Sequence, residues 1–268
     1  MKIIYLDTET TGLPFDRKTK EETNDRIIQL GFLLADKNGI EVYEDLSNPK
    51  VEINFHAMAT HHITPEMIED KPELKETKAY KKLEEENKEK NILIIQNSKF
   101  DLEMLRREGF ELNYTLIDTL IVARHLLPEE ESHSLQYLRY KLGLYKTETE
   151  AAKKLNIELK AHDAIGDVLF MKMLFEKLIE IAKEKYKLKT KKELLNKLVE
   201  LTKTPVKIKT MKFGKYEGEN LGNIIKKDKG YISWLLNNSD DEDLIYSIKE
   251  EQKLIEKENK KSKNKNEM

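Results

Sequence analysis

Short apolar runs separated by polar turns dominate the first half of the chain, and runs of this length predict β-strands. Asn38-Gly39 lies between two of them and is a strong signal for a hairpin. The first run passes into a polar stretch that starts at Asp7, as expected for a buried strand that enters a turn. The predicted strands cover residues 2–6, 27–35, 40–43, 91–95 and 114–117.

Apolar residues at helical spacing follow the strands and predict amphipathic helices over residues 119–127, 134–142, 149–155 and 164–182. Ser98 with Asp101, and Thr190 with Glu193, have the spacing of helix capping boxes and mark two further helix starts. Strands that come first and helices that come later indicate an α/β or α+β class around a mixed sheet.

A domain boundary is predicted near Pro205, because proline must stop the preceding helix. Beyond it, residues 206–209 alternate like an edge strand, residues 214–222 contain three glycines, and residues 231–236 predict a short aromatic helix. The end of the chain has no apolar pattern and is expected to be disordered in part. The predicted division is a main domain at 1–184, a helical linker at 185–205, a small α+β module at 206–248 and a charged tail at 249–268.

Composition limits the classes of function. Hydrophobic residues make up 38% of the chain and charged residues 37%, which leaves enough apolar material for a folded core. The absence of cysteine excludes disulfides, thiolate metal sites and cysteine nucleophiles. Asp7 comes too early for a signal peptide, and no run approaches the roughly 20 apolar residues of a membrane span. We therefore expect a cytoplasmic protein with no membrane partner.

Asp7 and Glu9 lie two residues apart at the end of the first predicted strand. Strand side chains alternate between faces, so both carboxylates project to the same side. Paired hard oxygen ligands suit Mg²⁺ or Mn²⁺ better than Zn²⁺. The pair alone is also compatible with two solvated acids.

Two further acids fall where an open α/β sheet has its ligand crevice. Asp101 follows the fourth predicted strand, and Asp167 opens the long helix at 164–182. His162 is five residues before Asp167, which corresponds to about 140° around a regular helix. We therefore predict that His162 lies just outside the helix, on an approach loop.

Three motifs carry a family resemblance: Asp7-Thr8-Glu9, the stretch from Asn97 to Asp101, and His162-x-Ala164-x-x-Asp167. In this order they resemble the motif set of the DEDDh exonucleases, which include the proofreading exonucleases and have a ribonuclease H-like fold. The resemblance covers residues 1–184 and implies an α/β ribonuclease H-like mixed sheet flanked by helices.

The resemblance also implies catalytic roles. Asp7, Glu9 and Asp167 would hold two Mg²⁺ ions, for which Mn²⁺ substitutes, and Asp101 would complete the shell of the second ion directly or through water. His162 would be the general base, and a histidine with a pKa near 6.5 can accept a proton at neutral pH. Two cations about 3.5–4 Å apart suit in-line displacement at phosphorus. The 3′-to-5′ polarity rests on the resemblance alone.

The same resemblance implies that Thr10 and Leu13 contact the terminal nucleotide, while Asn97 and Phe100 shape its pocket. Leu13 and Phe100 are equally well interpreted as core residues. His61 would lie near the substrate, in a stretch that reads His-Gly-Ile-Thr in relatives.

In this chain His62 replaces the glycine of that stretch. His56, His61 and His62 together could suggest a transition-metal cluster, but positions on a surface loop are the preferred interpretation. We interpret His125 and His133 as structural.

The segment from Met211 to Gly218, with residues 231–236, resembles the small domain behind the nuclease in exonuclease X-type proteins. A net charge of -2 argues against a chain that binds nucleic acid over its whole surface. Lysines nevertheless concentrate in the small module at 206–248 and are candidates for phosphate contacts, whereas Trp234 lies among apolar residues and is assigned to the core. The lysines are Lys207, Lys209, Lys212 and Lys215.

The leading hypothesis is a two-metal 3′-to-5′ exonuclease that releases nucleoside 5′-monophosphates from DNA 3′ ends, preferably single-stranded, in repair or turnover. Polymerase or repair proteins are its expected partners. An exoribonuclease on the same fold is one alternative, since no residue decides between the two sugars. A non-catalytic subunit that binds nucleic acid or a polymerase is the other, and the intact set of four acids and His162 opposes it.

Overall fold

The computed structural model describes residues 1–16, 18–159, 164–211, 213–239 and 241–266, with side chains up to residue 257. The chain forms two compact units, Met1–Thr202 and Lys203–Met268. The domain limits at residues 184, 205 and 248 stay predictions. The helix expected within residues 185–205 buries its leucines in the core of the first unit.

The first unit contains one mixed sheet of five strands, which confirms the predicted fold class. The strand order is β3-β2-β1-β4-β5, so β1 is central; it pairs antiparallel with β2 and parallel with β4. The predicted hairpin is present, and Asp36 pairs with Gly39 across a turn at Lys37 and Asn38. The strands are β1 (Ile3–Thr10), β2 (Ile27–Asp36), β3 (Gly39–Leu46), β4 (Ile92–Ile95) and β5 (Thr115–Asp118).

Helices cover both faces of this sheet and make up most of the second unit. None of the helices described is long and apolar enough to cross a membrane. The first unit contains α1 (Phe55–His61), α2 (Pro65–Ile68), α3 (Lys78–Glu85), α4 (Ser98–Arg107), α5 (Thr119–Leu126), α6 (Leu135–Lys141), α7 (Glu148–Leu155), α8 (Ala164–Tyr186) and α9 (Lys191–Thr202). The second contains α10 (Leu221–Lys227), α11 (Lys229–Asn238) and α12 (Glu242–Asn266).

Alternate residues of β1 enter two different cores. Ile4 and Leu6 pack with residues of α3 and α4, whereas Tyr5 packs with residues of α5 and α8. A strand that is buried on both faces is apolar at consecutive positions. This double burial explains why the strands of the sheet centre stand out in the sequence as unbroken apolar runs.

The capping box at the start of α9 is formed as predicted. The Glu193 N–H donates to Thr190 Oγ1 at 3.1 Å, and the Thr190 N–H donates to Glu193 Oε2 at 3.0 Å. These bonds satisfy two backbone donors at the helix terminus and fix where α9 begins.

The second unit has a core of its own, built by α10, α11, α12 and the segment before them. The edge strand predicted at residues 206–209 was wrong. The Val206 N–H donates to Asp243 Oδ1 at 2.8 Å, and the Ile208 N–H donates to Ser247 Oγ at 2.7 Å. Side chains of α12 therefore take the donors that a neighbouring strand would need.

Gly31 on β2 allows α8 to lie unusually close to the sheet. A Cβ atom at this position would be 3.1 Å from Ala164 Cβ and 3.2 Å from the Ile165 backbone nitrogen. The Ala164 N–H also donates to Gln29 Oε1 at 3.3 Å. The first turn of α8, which carries Asp167, is thereby held against β2.

Replacing Gly31 with Ala should destabilise the first unit by about 1–3 kcal/mol, because the added methyl must push α8 away from β2. Urea unfolding followed by circular dichroism measures this difference. Gly230→Ala is the control, because its Cβ would meet nothing closer than 3.5 Å. An unfolding free energy unchanged by Gly31→Ala would contradict the proposed packing constraint.

Candidate active site

The carboxylates predicted for the site come together in the first unit. Asp7 and Glu9 project from β1, Asp101 lies in the first turn of α4, and Asp167 lies in the first turn of α8. The pKa of Asp7 is well above its usual range, first because of burial and then because Asp101, Glu9 and Asp167 repel its charge. The four acids therefore share one electrostatic environment, although they come from three separate elements.

Asp101 is the most deeply buried of these four carboxylates, with 3% of its surface exposed. The Thr8 N–H donates to Asp101 Oδ1 at 3.1 Å, and the Thr8 hydroxyl donates to the same atom at 2.7 Å. Burial raises the pKa of Asp101 to about 7, even though the bonds from Thr8 favour the ionised form. Thr8, which lies between Asp7 and Glu9 in the first motif, thus orients Asp101 of the second motif.

Helix α4 begins at Ser98 as predicted, but Ser98 and Asp101 do not form a capping box there. Asn97 is the N-cap of α4, in a left-handed conformation with φ 64°, and its side chain makes no capping bond. The side chain of Asp101 is directed to Thr8, while the Ser98 hydroxyl donates to Asp118 Oδ2 at 2.8 Å. The three-residue spacing alone does not distinguish an acid that caps a helix from an acid whose side chain belongs to the active site.

Asp118 at the end of β5 organises the turn that carries Asn97, and the sequence analysis gave it no role. Its carboxylate accepts the Asn97 N–H at 3.2 Å and the Ser98 N–H at 2.7 Å. It also caps α5 by accepting the Leu120 N–H at 2.8 Å. Its position at the carboxyl end of a parallel strand was a signal that could have identified it.

Gln136 on α6 is a second residue that the sequence analysis missed. Its Nε2 donates to Asp167 Oδ1 at 2.9 Å, and its Oε1 accepts from Arg139 Nη1 at 2.9 Å. Arg139 in turn makes two bonds to Glu148, at 2.6 and 2.5 Å. A glutamine 31 residues away from Asp167 has no spacing signal in the sequence.

His162 lies outside the described residues, so its role as general base stays a prediction. The chain is described again from Ala164, whose N–H is already bonded to Gln29.

A cleft of about 720 Å³ opens beside Glu9 and contains most of the predicted substrate contacts. Leu13 is 40% exposed there, which excludes its interpretation as a core residue. Phe100 lines the cleft and also packs against the core below α4. Residues on the cleft wall include Glu9, Thr10, Leu13, His56, His61 and Phe100.

His61 is buried at the end of α1, so its assignment to a surface loop was wrong. The Ile63 N–H donates to Nδ1 at 2.9 Å, which leaves Nε2 as the protonated nitrogen that donates to the Thr10 carbonyl at 3.2 Å. Burial lowers the pKa of His61, so the ring is neutral at neutral pH. Its hydrogen bond fixes the backbone of Thr10 beside the cleft.

The other two histidines of this region have different roles. His56 is exposed on α1, whereas His62 terminates the helix in the left-handed conformation, with φ 60°. Glycine adopts this conformation without steric cost, which explains why a glycine suits the position. His133 is buried and contacts the Leu127 carbonyl at 2.8 Å, in agreement with a structural role.

The donor set fits hard divalent cations, because such cations prefer carboxylate oxygens as ligands. A bound cation would also offset the repulsion that raises the pKa of Asp7. In the ranges that the structure describes, however, no three His, Asp or Glu side chains are gathered so that they could hold a metal ion.

Four carboxylates close to the central strand of a mixed sheet, with a cleft beside them, form the candidate active site. Residues 4–175 match the RNase_T family model, described as exonuclease, and the chain belongs to this family. Residues 211–240 match the exodeoxyribonuclease X-like C-terminal family. Both matches confirm the family resemblances noted in the sequence.

Curated relatives are similar over about two thirds of the chain. A DNA polymerase III PolC-type protein of Bacillus cereus is 30% identical over 190 residues, which are 68% of this chain and 12% of that protein. A DNA polymerase III subunit epsilon-like protein of Rhodobacter capsulatus is 29% identical over 192 residues, or 24% of its length. The chain thus matches a minor part of these larger proteins.

Solved structures with a similar arrangement include Exonuclease X in complex with 5′ overhanging duplex DNA. It is 22% identical, with a TM-score of 0.49, and the match covers 74% of this chain and 98% of that chain. The zinc-bound complex of E. coli ExoI with single-stranded DNA is 21% identical, with a TM-score of 0.49, over 73% and 42% of the two chains.

Replacing Asp101 with Asn should stabilise the metal-free protein near neutral pH, by an amount on the order of a few kcal/mol. The pKa of Asp101 is raised from 3.8 to about 7 on folding, so the folded state holds more protons than the unfolded state between these values. The free energy of unfolding of the native chain therefore falls as pH rises through this window. The free energy of unfolding of Asp101→Asn should decrease much less over the same pH range. Urea unfolding in EDTA from pH 4 to 8 measures this difference.

Asp70→Asn serves as the control, because its side chain is 78% exposed. It should leave the pH dependence of the native chain in place. Added Mn²⁺ should raise the melting temperature of the native chain more than that of Asp101→Asn. Identical pH profiles for Asp101→Asn and the native chain would show that burial of this carboxyl has no such effect.

Proposed function

We propose that the chain is a two-metal 3′-to-5′ exodeoxyribonuclease that releases nucleoside 5′-monophosphates. The observation that carries this proposal is the convergence of Asp7, Glu9, Asp101 and Asp167 from three elements, near enough for their charges to raise the pKa of Asp7. Acids that are grouped despite the unfavourable free energy of burial and charge repulsion are typical of functional sites rather than of a solvated surface. The exonuclease family match supports the same class of reaction.

Asp7, Glu9, Asp101 and Asp167 would hold two divalent cations, Mg²⁺ in the proposed reaction, with Mn²⁺ able to replace it. When bound, such cations supply Lewis-acid polarisation of the phosphoryl group and neutralise charge on the attacking and leaving oxygens. Thr8 keeps Asp101 directed to the site, and Gln136 does the same for Asp167. Both donors are neutral, so they orient a carboxylate without cancelling its charge.

His162 is proposed as the group that accepts the proton of the attacking water. Its ordinary pKa near 6.5 allows a neutral imidazole at the pH of the reaction. A base is needed because water is a poor nucleophile until it loses a proton. This role rests on the motif His162-x-Ala164-x-x-Asp167 in the sequence.

The terminal nucleotide is proposed to occupy the cleft beside Glu9. Leu13 presents an exposed apolar side chain there and Phe100 an aromatic one, which together suit a base and its sugar. Thr10 and His61 shape the wall through their mutual hydrogen bond. Asn97 holds the turn before α4 in its left-handed conformation, and we propose that it borders the same pocket.

DNA is the proposed substrate, in repair or turnover and with polymerase or repair proteins as partners. Support comes from the match of residues 211–240 to the exodeoxyribonuclease X-like C-terminal family and from relatives described as DNA polymerase III proteins. The attack at phosphorus hardly depends on the 2′-hydroxyl, so RNA is included as an arm of the test.

Asp7→Asn should abolish Mg²⁺-dependent release of nucleotides while the protein remains folded, because it removes one charge from the proposed ligand set. The measurement incubates purified protein and MgCl₂ with single-stranded DNA, duplex DNA and RNA, each labelled at the 5′ or the 3′ end. Stepwise shortening of the 5′-labelled strand and immediate loss of a 3′ label as a mononucleotide establish polarity.

Glu41→Gln is the matched control, since this acid lies on the exposed strand β3 and should leave the rate unchanged. Melting curves check that both variants are folded. Undiminished release by Asp7→Asn, or release that persists in EDTA, would remove the proposed mechanism. Faster shortening of RNA than of DNA would change the substrate assignment only.

His162→Ala should lower the rate constant for hydrolysis by roughly 10² to 10⁴, the usual contribution of a general base. Single-turnover cleavage at saturating enzyme measures this constant apart from binding. His125→Ala, on α5, is the control and should stay near the native rate. A near-native rate for His162→Ala would assign the proton transfer to another group.

A further inference from the structure

Trp234 in the second unit is exposed, which contradicts the core position expected from its apolar neighbours. Ile232 and Leu235 on the same helix, α11, are buried in the core of this unit, at 2% and 1% exposure. Trp234 is 56% exposed. At 100° per residue, Trp234 lies about 100° from Leu235 and about 160° from Ile232 around the helix axis, and Tyr231 lies between Trp234 and Leu235.

The exposed indole ends a row of three aromatic rings. The ring of Tyr216 meets Tyr231 edge to face at 5.2 Å, and Tyr231 stacks with Trp234 at 6.0 Å and 17°. Tyr216 is buried and anchors the row in the core. We call Tyr216, Tyr231 and Trp234 the aromatic row.

Gly214 keeps the aromatic row in place. A Cβ atom at this position would lie 2.8 Å from the hydroxyl oxygen of Tyr231, and the residue has φ 75°. Tyr231 therefore packs directly against the backbone of the turn before α10. The middle ring of the row, on which Trp234 stacks, is thus held against the backbone of this turn.

Positive charge surrounds the inner end of the row. Lys215 Nζ and Lys227 Nζ lie 4.9 Å and 5.0 Å from the ring centroid of Tyr216, and their side chains are 63% and 59% exposed. Each also contacts an acid, but exposed pairs of this kind contribute little and exchange easily with another anion. Residues 203–239 contain eight lysines and three acids, so the charge of this segment is complementary to phosphate.

We propose that the aromatic row is a binding site for single-stranded nucleic acid, in which a base stacks on Trp234 and the lysines contact backbone phosphates. An exposed ring at one end of a packed row, with cations near the other end, supplies the stacking surface and the positive charge that bind single strands without regard to sequence. A protein partner fits less well, because lysine is depleted in protein interfaces. The inference rests on the proposed function, since it gives the nuclease a second binding site for its substrate.

The chain contains one tryptophan, so its intrinsic fluorescence reports on this surface directly. The full chain is titrated in EDTA, which prevents cleavage, with a single-stranded oligonucleotide and with an abasic strand of the same length. The base-containing strand should quench the tryptophan emission as it binds. The abasic strand carries the same phosphates and should leave the emission nearly unchanged.

Anisotropy of a labelled oligonucleotide measures affinity independently of the tryptophan. Trp234→Ala should weaken binding by about five- to a hundredfold, the usual effect of losing one stacking contact, and Trp234→Phe should retain part of the affinity. Tyr145→Ala removes an aromatic ring of the first unit that is 44% exposed and should leave affinity unchanged. Melting curves establish that all three variants are folded.

Three results would overturn the inference: an affinity unchanged by Trp234→Ala, a tryptophan signal that stays silent while anisotropy reports binding, or equal quenching by the abasic strand. A fluorescence change with protein concentration alone would instead identify a surface for self-association. Cleavage assays in Mg²⁺ separate this inference from the proposed function. Active cleavage with a silent tryptophan contradicts only the stacking site, whereas absence of cleavage on every substrate contradicts the nuclease itself.

Discussion

Repulsion among the carboxylates at the end of β1 is the constraint on which the rest of the first unit depends. Asp7, Asp101 and Asp167 come from three different elements, so the folded chain must bring like charges together in a partly dry place. The sheet offsets this unfavourable free energy by burying apolar side chains on both of its faces. The close approach of α8 at Gly31 then sets where the last acid lies. Acids that are grouped despite such repulsion are typical of functional sites.

Hydrogen bonds from neutral groups give the cluster its directions. The Thr8 hydroxyl holds Asp101 and the Gln136 amide holds Asp167, while the Asp118 carboxylate accepts hydrogen bonds from the turn that starts α4. A hydroxyl or an amide can orient a carboxylate while the charge remains available to a cation. Arg139 lies one step behind Gln136, where Glu148 already pairs with its guanidinium. Neutral groups next to the carboxylates, with the charged pair of Arg139 and Glu148 farther away, suit a site that must attract cations.

The sequence predicted those parts of the fold and the site that depend on local pattern. Unbroken apolar runs located the strands, and Asn38-Gly39 located the hairpin, because both signals are set by neighbouring residues. The acids of β1 were predictable for the same reason. Gln136 was not, since its contact with Asp167 arises only when α6 and α8 pack together. The capping box at Ser98 failed because Asp101 forms a better-defined contact with Thr8 across the sheet, and tertiary contacts override local propensity.

Trp234 shows why burial could not be inferred from apolar neighbours alone. A helix presents several stripes, and a short apolar segment does not reveal which stripe meets the core. In α11 the core accepts Ile232 and Leu235, so Trp234 must lie on the other side. The second unit has a small core, and a tryptophan left outside it forgoes a large gain from burial. Three packed rings that end in this exposed indole, with lysines around their inner end, are best explained by a ligand that covers the ring.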